Sequence, residues 1–221
     1  MCKHNSWSEQ YKLRRAAAER FGPIYALPIV KRVRQVLLEC VDHQMRVLEV
    51  GAGDRRMGAL LSRERRGVEY RSIDIDPRAE HDYRSLDEIV HGFDCVFAFE
   101  VIEHLAFDEI APWLARLAEL LRPGGRLLLS TPNTYYPPAY LRDATHRTPL
   151  CYDELAGMVD AAGLRTTRLV RIYHDPVHRA LARRYLFGWL FRLLGLDFAR
   201  QIVLVAEKPQ AAAAEPDKVQ S

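Results

Sequence analysis

The chain has 221 residues, of which 48% are hydrophobic and 28% charged, and a formal net charge of +3. That balance suits one soluble globular domain with a sizeable core and makes a two-domain enzyme unexpected. No apolar run of about 18 residues occurs, which excludes a transmembrane helix; four cysteines without a paired motif or preceding signal peptide predict reduced thiols in a cytoplasmic protein.

The chain opens on an arginine-rich amphipathic stretch with the cluster LRRAAAER at 13–20. In PIVKRVRQVLLECV (28–41), Val33, Val36, Leu37 and Cys40 share one helical face. RVLEV (46–50) reads as a short buried strand, and YRSID (70–74), FDCVFAF (93–99) and RLLLST (126–131) read as further strands flanked by turn formers. Between the last two, DEIAPWLARLAELLRPGG (108–125) sets Ile110, Trp113, Leu114, Leu117 and Leu121 along a helical face and stops at Pro123, Gly124 and Gly125. YDELAGMVDAAGL is a helix stopping at Gly163, and LRTTRLVRI and QIVLVAEK are the last two strands.

Between those strands, YLFGWLFRLLGLDF (185–198) places Leu186, Trp189, Leu190, Leu193 and Leu194 at helical spacing. Its readings are a helix packed on the core, a substrate lid, or an interfacial helix giving weak membrane association. A second basic cluster, HRALARR (178–184), precedes it; both clusters either meet phosphate or form solvated helix faces. The expected organisation is one domain over 1–208, with N-terminal helices in 1–44, an insert or lid in 174–200 and a disordered tail from 209.

Strands alternating with helices predict an α/β fold, a doubly wound and mostly parallel sheet with helices on both faces. Ligands of such sheets sit beyond the carboxyl ends of the strands, where strand order reverses. In VLEVGAGDRRMGALL (47–61), Gly51 and Gly53 permit a tight turn and close ligand approach to backbone amides, with a helix start behind. Glu49 just before the turn would repel a pyrophosphate and suits an ammonium group or amides. Arg56 stands where a dinucleotide motif has its third glycine, which disfavours a nicotinamide-dependent dehydrogenase. In SIDIDP, Asp74 closes the next strand and can accept from ribose hydroxyls, whereas Asp76 with Pro77 also fits helix-start chemistry.

FAFEVIEHL (97–105) puts Glu100, Glu103 and His104 at the spacing of one helical face, and the long loop TPNTYYPPAYLRDATHRTPL (131–150) brings His146. Two carboxylates and two imidazoles meeting there would suit Mg²⁺, Mn²⁺ or Zn²⁺, able to lower the pKa of an acceptor hydroxyl. Without a metal, His104 or His146 would serve as general base, or the segment would simply open a helix that shapes the pocket. Tyr135, Tyr136 and Tyr140 read as substrate walls, Arg142 and Asp143 as a surface ion pair, and His174, Asp175 and His178 as structural.

ExGxG at Glu49–Gly53, the strand-end Asp74, FDCVFAFEVIEHL, LRPGGRLLLSTPN and DELAGMVDAAGL, in that order, resemble the class I S-adenosylmethionine-dependent methyltransferases over roughly residues 45–172. The resemblance implies a seven-stranded sheet with Glu49, Gly51 and Gly53 around the methionine part of S-adenosyl-L-methionine and Asp74 on the ribose. It further implies that Ile75 is a cofactor neighbour, that Asp82 and Tyr83 lie beside the adenine and that Phe99 closes the pocket. ExxEH followed by a histidine after TPN is similar to ubiquinone-biosynthesis O-methyltransferases and to small-RNA 3′-terminal 2′-O-methyltransferases. That likeness implies Glu100, Glu103, His104 and His146 as ligands of a divalent metal. The RNA family's aromatic and acidic residues after the histidine are absent, since Arg147, Thr148 and Pro149 follow. The expected function is methyl transfer to an oxygen of a small-molecule or glycan acceptor. The alternatives are a metal-dependent RNA ribose methyltransferase binding through the arginine clusters, and a non-catalytic regulatory protein that binds the cofactor. No heptad pattern signals an oligomer.

Overall fold

The alternation read from the sequence becomes a seven-stranded sheet in the computed structural model, which describes residues 7–210 apart from 77, 91 and 174. Helix α1 (Trp7–Phe21) leads to a two-residue strand β1 (Ile29–Val30) and helix α2 (Val33–Cys40). Then come β2 (Arg46–Val50), α3 (Arg56–Glu64), β3 (Glu69–Ile73), β4 (Phe93–Phe99), α4 (Phe107–Leu120) and β5 (Leu121–Pro132). The chain continues through α5 (Pro137–Leu141), α6 (Tyr152–Ala161), β6 (Arg165–Ile172), α7 (Val177–Leu181), α8 (Gly188–Leu193) and β7 (Gln201–Glu207). Spatial order is β1-β6-β7-β5-β4-β2-β3; β7 runs antiparallel to β5 and β6, and every other pair is parallel.

Alternation along the central strands supplies a core on each face. In β4, Val96 and Ala98 join α4 and α6, whereas Cys95 and Phe97 join α2 and α3. In β5, Leu127 and Leu129 take the first side and Leu128 the second. A strand buried on both faces reads as a continuous apolar run, which is why FDCVFAF and RLLLST stand out in the sequence. The four strands named there from 46 to 131 are recovered to within a residue or two, except that β5 starts earlier, at Leu121, because Leu121 already pairs with Phe93. The segment at 28–41 is split: Ile29 and Val30 pair with Arg171 and Ile172, and the helix begins only at Val33.

Helices α1 and α6 touch backbone to backbone, since a Cβ on Gly157 would lie 2.9 Å from the Leu13 carbonyl carbon. Across that contact Arg14 bonds Asp153 at 3.0 Å and Arg20 bonds Asp160 at 2.7 Å, while Arg15 pairs with Glu19 on the same helix. The 13–20 basic cluster is thereby largely neutralised within the protein. Cys40 and Cys95 are buried free thiols and Cys151 is a half-buried one; Cys2, His174 and residues 211–221 of the tail lie outside the described residues. Among the described residues no helix is long and apolar enough to cross a membrane.

Candidate functional site

Strand order reverses at β2, which has β3 on one side and β4 on the other. The crevice beyond their carboxyl ends is therefore bordered by the Gly51–Gly53 turn, the end of β3 and the segment after β4. Gly51 has φ +75°, and a Cβ there would fall 2.4 Å from Val101 Cγ2, so both the turn and its neighbour require glycine. Gly53 has φ +48° and nothing within 4 Å of a Cβ position, so the turn opens onto free space. Asp74 clamps this turn: its carboxylate accepts from the Gly53 amide at 2.8 Å and from the Asp76 amide at 2.9 Å. Asp76 is itself bonded to Arg78, which leaves Asp74 as the acid beside the turn. Ile75, 92% exposed, stands at the open edge of the same crevice.

Glu49 lies beneath the turn, buried, and accepts a hydrogen bond from the Tyr70 hydroxyl. Tyr70 was not flagged by any sequence motif; its ring is pressed against Gly58, where a Cβ would meet the ring 2.4 Å away. Burial pushes the Glu49 pKa up to about 7, and the phenol only partly offsets it. A raised folded-state pKa means that protonated Glu49 supports the fold at low pH and that this support is lost as pH rises through about 7. Ligand-free wild type should therefore lose stability relative to Glu49→Gln between pH 5 and 8, by at most about 3 kcal/mol. Paired thermal melts across that range check it; parallel curves would show that Glu49 ionises freely.

Asp82 and Tyr83 serve the edge of the sheet. Asp82 accepts from the Ser72 amide at 2.9 Å, the Ser72 hydroxyl at 3.0 Å and Arg71 at 3.0 Å, and Tyr83 makes a one-residue bridge to Ile73. The Asp82 carboxylate is thus turned towards β3. Phe99, half-buried at the end of β4, stacks on Phe97 with centroids 5.0 Å apart.

After β4 the chain does not enter a helix at once. Glu100 takes a left-handed φ of +56°, residues Ile102–His104 form a single 3₁₀ turn, and α4 starts only at Phe107. The helical-face reading of Glu100, Glu103 and His104 is corrected accordingly, and Glu100 parts from the other two. The Glu100 carboxylate accepts from the Ser130 hydroxyl at 2.9 Å. Glu103 is fully buried, and among the described residues neither of its oxygens has a hydrogen-bond partner of good geometry. Burial first, and the nearby Glu100 carboxylate second, raise its pKa far above the usual carboxylate range, the Thr131 hydroxyl giving only slight relief.

The 131–150 loop is stapled to this turn. The Arg147 and Thr148 amides donate to the Glu103 carbonyl at 2.8 and 3.1 Å, and the Thr148 hydroxyl donates to the Leu105 carbonyl at 2.7 Å. His146 is held at Nδ1 by the Tyr140 carbonyl, 2.7 Å away, which fixes the proton on Nδ1 and leaves the lone pair on Nε2. That Nε2 lies 4.0 Å from Glu103 and 3.9 Å from Asp143. His104 Nδ1 meets the Thr145 carbonyl at 3.3 Å and the Thr145 hydroxyl at 3.0 Å. Because that hydroxyl already donates to Asp143 at 2.6 Å, it accepts from Nδ1, and His104 too keeps its lone pair on Nε2. Donor atoms of Glu103, His104 and His146 all lie within 4.8 Å of one another, a spread that suits ligands of one divalent ion after small side-chain rotations. Tyr140, Thr145 and Asp143, which orient the imidazoles, were missed in these roles because a loop's backbone carbonyls leave no mark in sequence; Asp143 faces His146 and Thr145 rather than Arg142.

The insert forms α7, a π turn over Ala182–Leu186 and the short α8, so Leu186, Trp189, Leu190, Leu193 and Leu194 do not share one continuous helix. All five are exposed, which corrects the reading of a helix packed on the core.

A family model described as "Methyltransferase domain" matches residues 19–169, more than half of the chain. No curated protein matches the sequence significantly. Among solved structures, a SAM-dependent methyltransferase from Archaeoglobus fulgidus superposes with TM-score 0.63 at 16% identity, covering 88% of this chain and 94% of that one. Burkholderia thailandensis 1,6-didemethyltoxoflavin-N1-methyltransferase gives 0.55 at 19% identity, with 92% and 81% covered. An S-adenosylmethionine-dependent methyltransferase from Mesorhizobium loti gives 0.57 at 13% identity, with 79% and 95% covered.

Proposed function

The chain belongs to the methyltransferase domain family, within the S-adenosylmethionine-dependent class I superfamily, and from that premise we propose that it methylates an oxygen of a small-molecule or glycan acceptor. The observation that carries the reading is the fully buried, unpartnered carboxylate of Glu103 facing the Nε2 lone pair of His146. A buried polar group without a partner is costly and rare, so it marks a place where a ligand completes the site.

The Gly51–Gly53 turn, Asp74 and Ile75 border the cofactor cleft, with Glu49 beneath it. The cofactor supplies an already activated methyl group, so the chain must mainly hold the acceptor in line and remove its proton. Glu103, His104 and His146 would hold a divalent cation: one carboxylate and two neutral imidazoles whose Nδ1 protons are anchored on Thr145 and Tyr140. Such an ion would lower the pKa of an acceptor hydroxyl. Glu100, tied to Ser130, stands just outside this group and adds negative charge to it. The tyrosines of the 131–150 loop wall the acceptor. An amine acceptor needs no such cluster, which favours oxygen, although a neighbour in fold is by name a nitrogen methyltransferase. The internal pairing of the 13–20 arginines removes one of the two basic surfaces on which an RNA acceptor would depend.

Calorimetric titration of the metal-stripped protein with S-adenosylhomocysteine, then with Mg²⁺, Mn²⁺ and Zn²⁺, tests this directly. The product should bind, and one of the ions should give a saturable heat that is lost in His146→Ala. Because Glu103 must lose its proton to ligate, ion affinity should rise with pH. Product binding without a specific metal heat would transfer proton removal to His146 Nε2; failure to bind the product would sink the whole reading.

A further inference from the structure

Of thirteen exposed large hydrophobic side chains among the described residues, eight lie between Leu181 and Leu194. Scattered exposed apolar residues are ordinary, but a contiguous patch marks a contact surface. Here Tyr185, Trp189 and Leu193 are 70%, 65% and 74% exposed, and Leu186, Phe187 and Leu194 lie beside them. Residues 177–194 contain Arg179, Arg183, Arg184 and Arg192 and no Asp or Glu. Arg183 pairs with Asp175, whereas among the described residues Arg184 and Arg192 have ring contacts, on Tyr185 at 5.6 Å and Tyr25 at 5.8 Å, and no ion pair. Arg184, Gly188, Phe191 and Arg192 of this stretch, together with Arg171, line a cavity of about 220 Å³ in which Asp197 is the one carboxylate. Asp197 is already engaged by Arg171 at 3.0 Å and by Asn133 at 2.9 Å, so the two free guanidiniums are not neutralised.

We infer that residues 177–194 dock the protein on an anionic phospholipid surface, with the aromatic and leucine side chains entering the headgroup region and the arginine-lined cavity receiving a lipid phosphate. A second copy of the chain is the poorer occupant, because a two-fold contact through this patch would set the same arginines against each other. A soluble anion would fill the cavity but leave the apolar face in water. Tryptophan and tyrosine beside arginine suit the membrane–water boundary, where one end of each side chain is apolar and the other polar. The docked face would adjoin the acceptor loop, because the Asp197 amide donates to the Tyr135 carbonyl at 2.8 Å and Asn133 holds Asp197 from the same loop.

The inference does not rest on the metal or on the acceptor. It is tested by sedimenting the full chain with phosphatidylcholine vesicles, with and without phosphatidylglycerol, at low and high salt. Partition should require phosphatidylglycerol and weaken with salt. Trp189→Ala/Leu193→Ala should reduce it by at least about tenfold, and Arg184→Ala and Arg192→Ala by about fivefold each. All are surface changes, so unaltered melting and S-adenosylhomocysteine binding establish that each variant is folded. Absence of partition, or partition indifferent to these substitutions, overturns the inference. So does binding of inorganic phosphate or glycerol 3-phosphate without vesicle binding, which would make the cavity a soluble-anion site. Concentration-dependent dimerisation lost in Trp189→Ala/Leu193→Ala, without partition, would assign the face to a second copy instead.

Discussion

Replacing Glu103 with leucine should make the metal-free protein more stable, by about 2 to 3 kcal/mol at pH 9, while abolishing its response to divalent ions. The residue is wholly buried, and neither oxygen has a hydrogen-bond partner of good geometry among the described residues. Leaving such groups unsatisfied costs about 1 to 3 kcal/mol each, and leucine of similar volume fills the site without them. For a chain of this size the gain corresponds to a melting increase of about 5 to 10 °C. The pH dependence has a definite direction. The Glu103 pKa is raised in the folded state, so the protonated acid is tolerated at low pH and the penalty grows as pH rises through the folded value. The gap between variant and wild type should therefore widen from pH 6 to pH 9. Stability surrendered at a functional position is a familiar trade. A leucine variant melting below wild type at every pH would mean that the carboxylate holds the structure together, and the case for a ligand there would fall.

The strands were legible because burial on both faces of a central sheet leaves an unbroken apolar run, as in FDCVFAF. The amphipathic face of α4 was legible by its period and the end of α6 by Gly163, whereas the antiparallel β7 was anticipated only as part of a mostly parallel sheet. Strand β1 was not, since two residues paired to β6 carry no periodicity of their own. At the site, residue types were readable and geometry was not. Glu100, Glu103 and His104 look like one helical face by count, yet the left-handed Glu100 swings its carboxylate to Ser130, thirty positions away in sequence. Convergence of Glu103 with His146 depends on the Thr148 staple and the Tyr140 carbonyl, which are tertiary contacts. The 185–198 segment misled for the opposite reason: its pattern is that of a buried helix, but its large apolar side chains from Tyr185 to Leu194, Phe191 apart, are left exposed by the described residues.

Gly51→Ala should lower S-adenosylhomocysteine affinity by about a hundredfold or more, through two separable effects. A non-glycine residue at φ +75° is strained by about 1 to 2 kcal/mol. The added methyl would also lie 2.4 Å from Val101 Cγ2, so either the turn or the segment carrying Glu100 must move. Coupling Gly51→Ala with Val101→Ala removes the clash and leaves the strain, and should recover about tenfold of the lost affinity. Gly53→Ala is the informative contrast. Its φ of +48° lies close to the left-handed region and nothing lies within 4 Å of the new methyl, so the empty protein should lose only about 1 kcal/mol. If Gly53→Ala nonetheless binds S-adenosylhomocysteine far more weakly, the space in front of the turn is where the ligand lies against the backbone. If both alanine variants bind as wild type does, the cofactor does not approach this turn, and the placement of the cleft between β2 and β4 has to be abandoned.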